Sequence, residues 1–419
     1  MKTRLLILPF ILMCGFHILY AQETVTPYHT AIPSNIIPKG LGVNIHFTDA
    51  KPGEMQMLAE AGFHWVRMDF FWSNIEKKRG VYDFTAYDHL VSSLHKYHLK
   101  AIFILDYGNP LYDNGMSPHG PDAIKAFAKW AAASVKHFAG NNFLWEMWNE
   151  PNIGFWKPKP DVNEYIHLAL ATGKAIKKAT PDEAFIGPAT SGIALDFLKS
   201  CFQAGLLQYW DAVSLHPYRQ LNPETAVKDY QAVRRLIGKY APPGKSIPVI
   251  SGEWGYSAAW KGFDAEKQGS MLAREFLTNL SAGIPLSIWY DWHNDGDNTK
   301  DAEDNFGTVN YVYHPTGNPV YDIKPAYLAA KTLMHALDGF HFEKRLPVNN
   351  NADYVLLFKK RKNICYTVWT TEQAHIISLI MKSKKYRLLG YTGNESGIKK
   401  ISGKTIEIML TNTPQYLIW

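Results

Sequence analysis

Two glutamates at the ends of apolar runs are the residues of this chain best suited to acid–base chemistry. Glu150 lies in WNEPN, directly after the run NFLWEM, and Glu253 lies in SGEWG, after IPVI. Two carboxyl groups facing each other across one sugar ring can hydrolyse a glycoside: one protonates the leaving oxygen while the other attacks the anomeric carbon. Because like charges at that distance do not both ionise easily, their surroundings must assign the two roles.

The neighbours of each glutamate predict those roles. Arg67 in HWVRMDF, and His216 with Tyr218 in SLHPY, could donate to Glu253 and favour the charged form that a nucleophile needs. Glu150 has tryptophans and a proline close in sequence, a drier setting that suits a general acid. Glu253 is therefore the predicted nucleophile and Glu150 the predicted acid/base.

Further side chains are predicted to bind the sugar. Asn149, directly before the acid, could reach the 2-hydroxyl of the sugar, an interaction that strengthens at the transition state. Trp289 or Trp292, near the end of the last predicted strand of the helix-alternating part, could stack on an apolar face of the ring. The sequence does not decide which of these two tryptophans faces inward.

Structural roles compete with these functional ones. Each glutamate could be a buried, ion-paired carboxylate that only stabilises the core. Arg67 could pair with Asp69 or Asp106, and His216 could be a satisfied core histidine. The functional interpretation depends on all of these residues meeting at one place.

A repeated strand–helix unit would bring them together. Eight short apolar or β-branched runs alternate with stretches of helical period, which is typical of a parallel sheet covered by helices. Eight units in about 300 residues favour a closed (β/α)8 barrel in the α/β class, whose strand ends carry the chemistry. The runs are LGVNIHF, HWVRMDF, KAIFILDY, FLWEMWNE, AFIGPAT, DAVSLHPY, IPVISGEWGY and PLSIWYDW.

The chain divides into four predicted parts. Residues 1–21 combine basic residues, an apolar stretch and a terminal alanine, which indicates a signal peptide and export to the periplasm or the extracellular space. A retained anchor is the alternative, although the stretch is short and contains a proline. Residues 22–38 form an extended segment and 39–338 the catalytic barrel. Residues 339–419, where strand-like runs replace helical periods, form a small antiparallel β-sandwich.

Charge and loop composition narrow the partners. The formal net charge is +6, and from Phe340 onward there are thirteen Lys and Arg against five Asp and Glu. This basic excess could attract an acidic polymer, but charged turns and solvated strand faces explain it more simply, and no nucleic-acid-binding module is recognisable. The acidic stretch HNDGDNTKDAEDNFGTV lacks the regular spacing of acidic ligands that a calcium-binding loop has. It is predicted to form a substrate rim or a polar lid. No metal or cofactor is predicted.

These motifs resemble those of clan A retaining glycosidases. WNEPN with Glu146 before it resembles the acid/base segment of glycoside hydrolase family 39, and ISGEWGYS is similar to the nucleophile segment of that group; the cellulase-like family 5 comes second. GVNIHF, WVRMDFFWSNIE and KAIFILDYGNPLYD resemble endoglycosidase-like bacterial members. The resemblance covers the barrel and implies a small β-sandwich after it. Phe143 and Trp145 depart from the family pattern, which has tryptophan and phenylalanine there.

The sequence thus predicts an exported, cofactor-independent retaining glycosidase that acts on a polysaccharide or oligosaccharide, without stable membrane insertion once the signal is removed. Two alternatives stay open. One is a sugar-binding barrel without turnover, which the presence of both glutamates and Asn149 disfavours. The other is a transglycosylase, which would use the same two carboxylates.

Overall fold

The structure is a computed structural model that describes residues 27–381, 385–395, 399–402 and 405–419. The predicted signal peptide lies outside these residues. Among the described helices, none is long and apolar enough to cross a membrane.

Eight parallel strands close into a barrel in sequential order, which confirms the predicted fold class. Each strand pairs with its chain neighbours, and β1 closes the ring on β8. The strands are β1 (Leu41–Asn44), β2 (Trp65–Phe71), β3 (Lys100–Asp106), β4 (Leu144–Met147), β5 (Ala184–Ser191), β6 (Val213–His216), β7 (Val249–Trp254) and β8 (Ser287–Trp289).

Helices surround the barrel. Most of them bury one face, whereas residues 268–279 of the eighth helix are buried on every side. Several have clear start signals: the carboxylate of Asp161 accepts hydrogen bonds from the first-turn amides of the fifth helix, and Asp264 does so for the eighth. The helices are α1 (Glu54–Glu60), α2 (Trp72–Ile75), α3 (Thr85–Lys96), α4 (Pro121–His137), α5 (Val162–Ala179), α6 (Leu195–Gln203), α7 (Ala226–Tyr240), α8 (Ala265–Ser281) and α9 (Pro325–Ala336).

The alternation of side chains along the strands separates an inner core from an outer one. In β2, Met68 and Phe70 point outward, where Phe70 packs against Trp130 of α4. Residues on the other face of the strands form an apolar plug inside the barrel, which Ala31 and Ile32 of the N-terminal segment join. Towards the carboxyl ends of the strands this inner surface becomes polar, and the functional side chains lie there.

A hairpin interrupts the connection from β8 to α9. Its strands, β9 (Val309–Tyr313) and β10 (Tyr321–Ile323), pair antiparallel. They directly follow the acidic stretch that the sequence analysis read as a rim or lid. The hairpin was not predicted because most of its residues are exposed and therefore show no apolar alternation.

Two antiparallel sheets follow the barrel, as predicted for a β-sandwich. Their facing sides share a core that includes Val355, Val368, Ile406 and Leu417. One sheet has the order β11-β12-β13-β18-β15 and the other β14-β17-β16. The strands are β11 (His341–Arg345), β12 (Asp353–Lys360), β13 (Asn363–Thr370), β14 (His375–Ile380), β15 (Arg387–Gly390), β16 (Lys399–Ser402), β17 (Thr405–Leu410) and β18 (Gln415–Ile418).

A buried ionic contact fixes the sandwich to the barrel. Glu224 accepts two hydrogen bonds of 2.8 Å from Arg274 of α8 and one of 2.7 Å from the indole N–H of Trp369 of β13. The N-terminal segment also reaches the sandwich, since Ile36 bridges to His341 and the amide of Ile37 donates to the carbonyl of Phe340. The two parts therefore meet through paired polar groups rather than through a loose linker.

Candidate active site

A cleft of about 500 Å³ opens at the carboxyl ends of the barrel strands. This is the end of a (β/α)8 barrel where side chains from several strands converge. Both predicted catalytic glutamates contribute to it, as do polar and aromatic side chains from nearly every strand end. The lining residues are Asn44, His46, Arg67, Asp69, Ile104, Tyr107, Asn149, Glu150, Phe155, Ser191, Tyr218, Glu253, Trp260, Tyr290, Glu303 and Phe306.

A bent strand end aims Glu150 into this cleft. After β4 ends at Met147, Trp148 and Glu150 adopt φ values of 67° and 45°, a region that side chains other than glycine rarely occupy. The bend is held in place because Trp148 is fully buried and the amide of Glu150 donates to the carbonyl of Ala189 at 2.9 Å. Local strain is thus retained where the acidic side chain is needed.

Close packing positions Glu253 on the opposite strand. The residue before it is Gly252, and a Cβ there would lie 2.1 Å from the Oγ of Ser214 and 3.0 Å from the Oε1 of Glu146. Only glycine allows β7 to approach these side chains so closely. The ladder between β7 and β8 also shifts register between Ser251 and Trp254, which re-aims the strand end.

The two glutamates face each other at short range. One carboxylate oxygen of Glu150 and one of Glu253 lie within 4.8 Å of each other, together with a ring nitrogen of His216. Glu150 is 7% exposed and the side chain of Glu253 is 13% exposed, so solvent reaches both only from the cleft. A sugar ring entering the cleft would contact both carboxyl groups.

Arg67 connects the acidic groups beneath the cleft. Its Nε donates to Glu146 at 2.7 Å, its Nη1 donates to Glu253, and its Nη2 donates to the Oδ1 of Asn149 at 2.8 Å. Burial alone would lower the pKa of Arg67, but the charges of Glu146 and Glu253 raise it above its ordinary value. The arginine is therefore a permanent cation that contacts the predicted nucleophile, and not the partner of Asp106 that the sequence left open.

Tyr218 provides the second donor to Glu253. Its hydroxyl lies 2.8 Å from the Oε1 of that carboxylate. Burial, and then the charge of Glu253, raise the pKa of Tyr218 well above its ordinary value. The phenol therefore stays protonated and donates a hydrogen bond to Glu253. Glu253 thus receives one hydrogen bond on each oxygen, from Arg67 and from Tyr218.

The predicted position of His216 needs a correction. Its Nδ1 lies 3.0 Å from the Oε1 of Glu150 but 3.9 Å from the nearer oxygen of Glu253. The histidine was expected to donate to Glu253, whereas its hydrogen bond goes to Glu150. The ring is fully buried at the end of β6, and at that depth it points across the barrel towards β4.

Asn149 lies where the sequence placed it, in the cleft wall beside Glu150. Its Oδ1 accepts from Arg67, and its Nδ2 donates to the hydroxyl of Tyr107 at 2.9 Å. These two contacts fix the orientation of the amide. One N–H of the amide group has no partner in these contacts and can be offered to a ligand.

A second ion pair borders the cleft. His46 lies 3.5 Å from the buried carboxylate of Asp291. Burial alone would lower the pKa of His46, but the hydrogen bond and charge of Asp291, with those of nearby aspartates, raise it to about 9. Burial also raises the pKa of Asp291 to about 6, against the opposing charge of His46. The pair is therefore ionised at neutral pH.

A family model agrees with this architecture. The model described as Cellulase (glycosyl hydrolase family 5) matches residues 41–296, which include the whole ring of strands and both glutamates. The chain belongs to this family. The resemblance to clan A enzymes that the sequence motifs indicate is thereby confirmed.

Solved structures place this family 5 member close to family 39 enzymes in fold. A family 39 glycoside hydrolase from the gut symbiont Bacteroides cellulosilyticus WH2 superposes with a TM-score of 0.79 at 25% identity, covering 92% of this chain and 81% of that one. A family 39 β-xylosidase from Caulobacter crescentus superposes with a TM-score of 0.67 at 19% identity, covering 94% of this chain and 98% of the other.

A β-xylosidase of Geobacillus stearothermophilus is 33% identical over 184 residues, a match that covers 36% of this chain and 36% of that enzyme. The chain thus matches about a third of the length of this relative.

The aromatic wall of the family 5 cleft differs from the prediction. Trp289 and Trp292, predicted to stack on the sugar, are 0% and 1% exposed, and neither lines the cleft. The indole of Trp289 donates to the carbonyl of Phe306, and that of Trp292 donates to Glu54. Because neighbouring side chains alternate in direction, Tyr290, directly after Trp289, faces the cleft. Trp292 lies beyond the end of β8, where this alternation no longer applies.

Several lining residues were not predicted. Tyr107 and Phe155 stack with ring centroids 5.9 Å apart, and Tyr290 meets Phe306 edge-on at 5.4 Å. Asp69 could have been found from the strand period alone, since it is two residues after Arg67 and therefore on the same face of β2. The loop aromatics had no such signal.

Within the part of the chain that the structure describes, two groups of side chains each bring three possible metal donors together. One is the glutamate pair with His216, and the other is His46 with Asp291 and Asp295. In the second group the histidine carries a proton at neutral pH, which opposes metal binding. In the first, donors from Arg67 and Tyr218 already occupy the Glu253 carboxylate. No metal role is assigned to either group.

Proposed function

We propose that this family 5 member is an exported glycoside hydrolase that cleaves O-glycosidic bonds in a polysaccharide or oligosaccharide with retention of configuration. The observation that carries the proposal is the approach of the two glutamates, whose nearest carboxylate oxygens lie within 4.8 Å in a shared cleft. Retaining enzymes place their carboxyl groups about 5–5.5 Å apart, whereas inverting enzymes need about 6.5–9.5 Å to admit a water molecule.

In the first step Glu253 attacks the anomeric carbon and forms a glycosyl ester. The bond from that carbon to the leaving oxygen breaks, and Glu150 transfers its proton to this oxygen, so the alcohol leaves neutral. Glu253 suits the nucleophile because its two oxygens accept from Arg67 and Tyr218, which hold the carboxylate charged and oriented. Glu150 is the more buried of the pair, which suits the proton donor.

In the second step Glu150, now a carboxylate, takes a proton from a water molecule that attacks the same carbon. The ester bond to Glu253 breaks and the free sugar leaves with its original configuration. His216 contacts Glu150 and can stabilise its negative charge during this half of the cycle. The free N–H of Asn149 can reach the 2-hydroxyl, as the sequence analysis expects.

The substrate side of the proposal draws on the relatives and on the wall of the cleft. The relatives described as β-xylosidases make β-xylosides the first substrates to test. Rings of Tyr290, Phe306 and Trp260 offer apolar faces on which sugars stack. Export to the periplasm or the extracellular space stays a proposal that the signal-like residues 1–21 support.

Trapping of the glycosyl intermediate tests the chemistry. A 2-deoxy-2-fluoro glycoside with an activated leaving group should add one sugar mass to the protein, on the peptide that contains Glu253. NMR of the first-formed product should show the anomeric configuration of the substrate. Glu253→Gln should abolish labelling and turnover, and Glu150→Gln should suppress turnover of unactivated substrates more than of activated ones.

The rival functions give different results in the same experiments. A sugar-binding barrel without turnover would bind saccharides but release no product and take no label. A transglycosylase would take the label but deliver the sugar to an added acceptor instead of water. Labelling on another residue, or a product of inverted configuration, would refute the assigned roles.

A further inference from the structure

A pair of aspartates in the cleft floor has no part in the two chemical steps. Asp69 of β2 is half-buried and lines the cleft, while Asp106, at the end of the neighbouring strand β3, is fully buried. Asp69 lies two residues beyond Arg67 on the same face of the strand, about 7 Å nearer the mouth of the cleft. It therefore lies beside the space that a sugar would occupy.

The two carboxyl groups of the pair must share a proton. Among the residues that the structure describes, no N–H or O–H donates to either oxygen of Asp106. In the register of β2 and β3, Asp106 pairs with Phe71, so it is the diagonal neighbour of Asp69 on the inner face of the sheet and its carboxyl group contacts that of Asp69. Two carboxyl groups can keep such a contact only if one of them carries a proton. Burial, and then the charge of Asp69, raise the pKa of Asp106 well above its ordinary value, so Asp106 is the donor.

The consequence is a hydrogen-bond acceptor, the carboxyl group of Asp69, that faces the ligand. Asp69 accepts a hydrogen bond from the neighbouring Asp106, and no other hydrogen bond to its carboxylate comes from the described residues. Its remaining lone pairs are directed to the cleft. A carboxylate can accept hydrogen bonds from two neighbouring hydroxyl groups at once, and bonds to a charged acceptor are the strong ones.

The charges of the cleft wall disfavour sugars that carry a carboxylate, the uronic acids. Four carboxylic residues line the cleft against two basic ones, Arg67 and His46. Both bases are already engaged, Arg67 with Glu146 and Glu253, and His46 with Asp291. A sugar carboxylate would therefore meet the charge of Asp69 with no unpaired cation among the lining residues to offset it.

We propose that Asp69, positioned by the buried carboxyl group of Asp106, forms a subsite that binds hydroxyl groups of an uncharged sugar and rejects uronic acids. The inference rests on the proposed function, because it concerns the sugar that the two glutamates cleave. Asp69 is a substrate-binding residue in this scheme, and Asp106 is a positioning residue that acts through it.

Four proteins test the subsite: the unaltered chain, Asp69→Asn, Asp106→Asn and Asp106→Ala. Kinetics use the neutral aryl glycoside that the unaltered chain turns over fastest. Asp69→Asn should lower kcat/KM at least tenfold, mainly through KM, because it removes a charged acceptor. Asp106→Asn keeps an N–H donor towards Asp69 and should stay within about threefold of the parent, whereas Asp106→Ala removes the donor and should lose about tenfold.

Inhibition by free sugars separates a binding role of Asp69 from a purely structural one. A structural role alone would not change the preference for neutral sugars over glucuronate. Xylose and glucose should inhibit the unaltered chain at least tenfold more tightly than glucuronate, and Asp69→Asn should narrow that ratio. If the unaltered chain binds glucuronate as well as glucose, the subsite is refuted, even if a variant fails to fold. An unchanged ratio in a folded Asp69→Asn protein refutes it as well. Absence of turnover on every glycoside would instead refute the proposed function.

Discussion

The close approach of β7 to its neighbours makes Gly252 a sensitive test of the site geometry. An added Cβ would lie 2.1 Å from the Oγ of Ser214, well inside any permitted contact, and 3.0 Å from the Oε1 of Glu146. Gly252→Ala must therefore displace the strand end that carries Glu253. Overpacking of this kind costs about 1–3 kcal/mol in stability, and a shift of about 1 Å at a reacting group can lower the rate about 100-fold.

The obstacle can be removed in the partner. Ser214 has no hydrogen-bond partner for its hydroxyl among the described residues, so Ser214→Gly alone should cost little activity. In the double variant the severe contact disappears and only the 3.0 Å contact to Glu146 remains. We expect the double variant to recover most of the kcat/KM that Gly252→Ala loses. The effects of the two substitutions on kcat/KM should therefore be strongly non-additive in a double-mutant cycle.

The assay is kcat/KM on an aryl glycoside together with thermal unfolding of each variant. Gly238→Ala in α7 is the matched control, because an added Cβ there meets nothing within 4 Å. The control should keep full activity and gain about 0.5–1 kcal/mol in stability, since alanine favours the helix. Full activity in Gly252→Ala, or a double variant as impaired as the single one, would refute the packing argument.

Three further changes probe separate contacts. Tyr218→Phe removes a 2.8 Å bond to the Glu253 carboxylate, so kcat/KM should fall about 10- to 150-fold, the equivalent of about 1.5–3 kcal/mol. The pKa of His46, about 9 and readable by NMR titration, should fall in Asp291→Asn, where only the charges of Asp295 and Asp69 still oppose burial. Because the folded pKa exceeds the ordinary 6.5, His46 stabilises the fold fully below pH 6.5 and loses this effect as the pH rises through about 9. Trp369→Phe should lower the free energy of unfolding by about 1.5–3 kcal/mol in denaturant titrations and leave kcat/KM unchanged.

The barrel was predictable because the same pattern, an apolar run followed by a stretch of helical period, is repeated along the chain. Eight apolar runs at regular spacing leave few alternatives, and a glutamate at the end of a run must then lie at the catalytic end of the barrel. This is why the sequence could place Glu150 and Glu253 at one end of the barrel, near Arg67, Asn149 and Tyr218. Each of these follows or lies within a strand whose direction the period fixes. Their catalytic and binding roles stay predictions.

Predictions failed where the direction of one side chain decided the outcome. Trp289 or Trp292 was predicted to face the sugar, but a shift of one residue along β8 reverses the face, so Tyr290 and not Trp289 lines the cleft. Trp292 lies beyond the end of β8, and its indole donates to Glu54 in the core. His216 was assigned to the nearer strand by adjacency, yet its ring reaches across the barrel to Glu150. The spacing of residues along the chain does not predict distances of a few ångströms between side chains of separate strands.

Carboxyl groups in and beneath the cleft have different functions because they are buried to different degrees. Glu146 and Glu150 leave the same strand, but Glu146 is fully buried and neutralises Arg67, whereas the bent strand end carries Glu150 to the cleft. Arg67 also donates to Glu253, and the charge of Glu146 offsets part of the attraction between the two. If Glu146 were replaced by glutamine, the arginine would be drawn more strongly to Glu253, and the two catalytic carboxyl groups would no longer keep the separation on which both chemical steps depend.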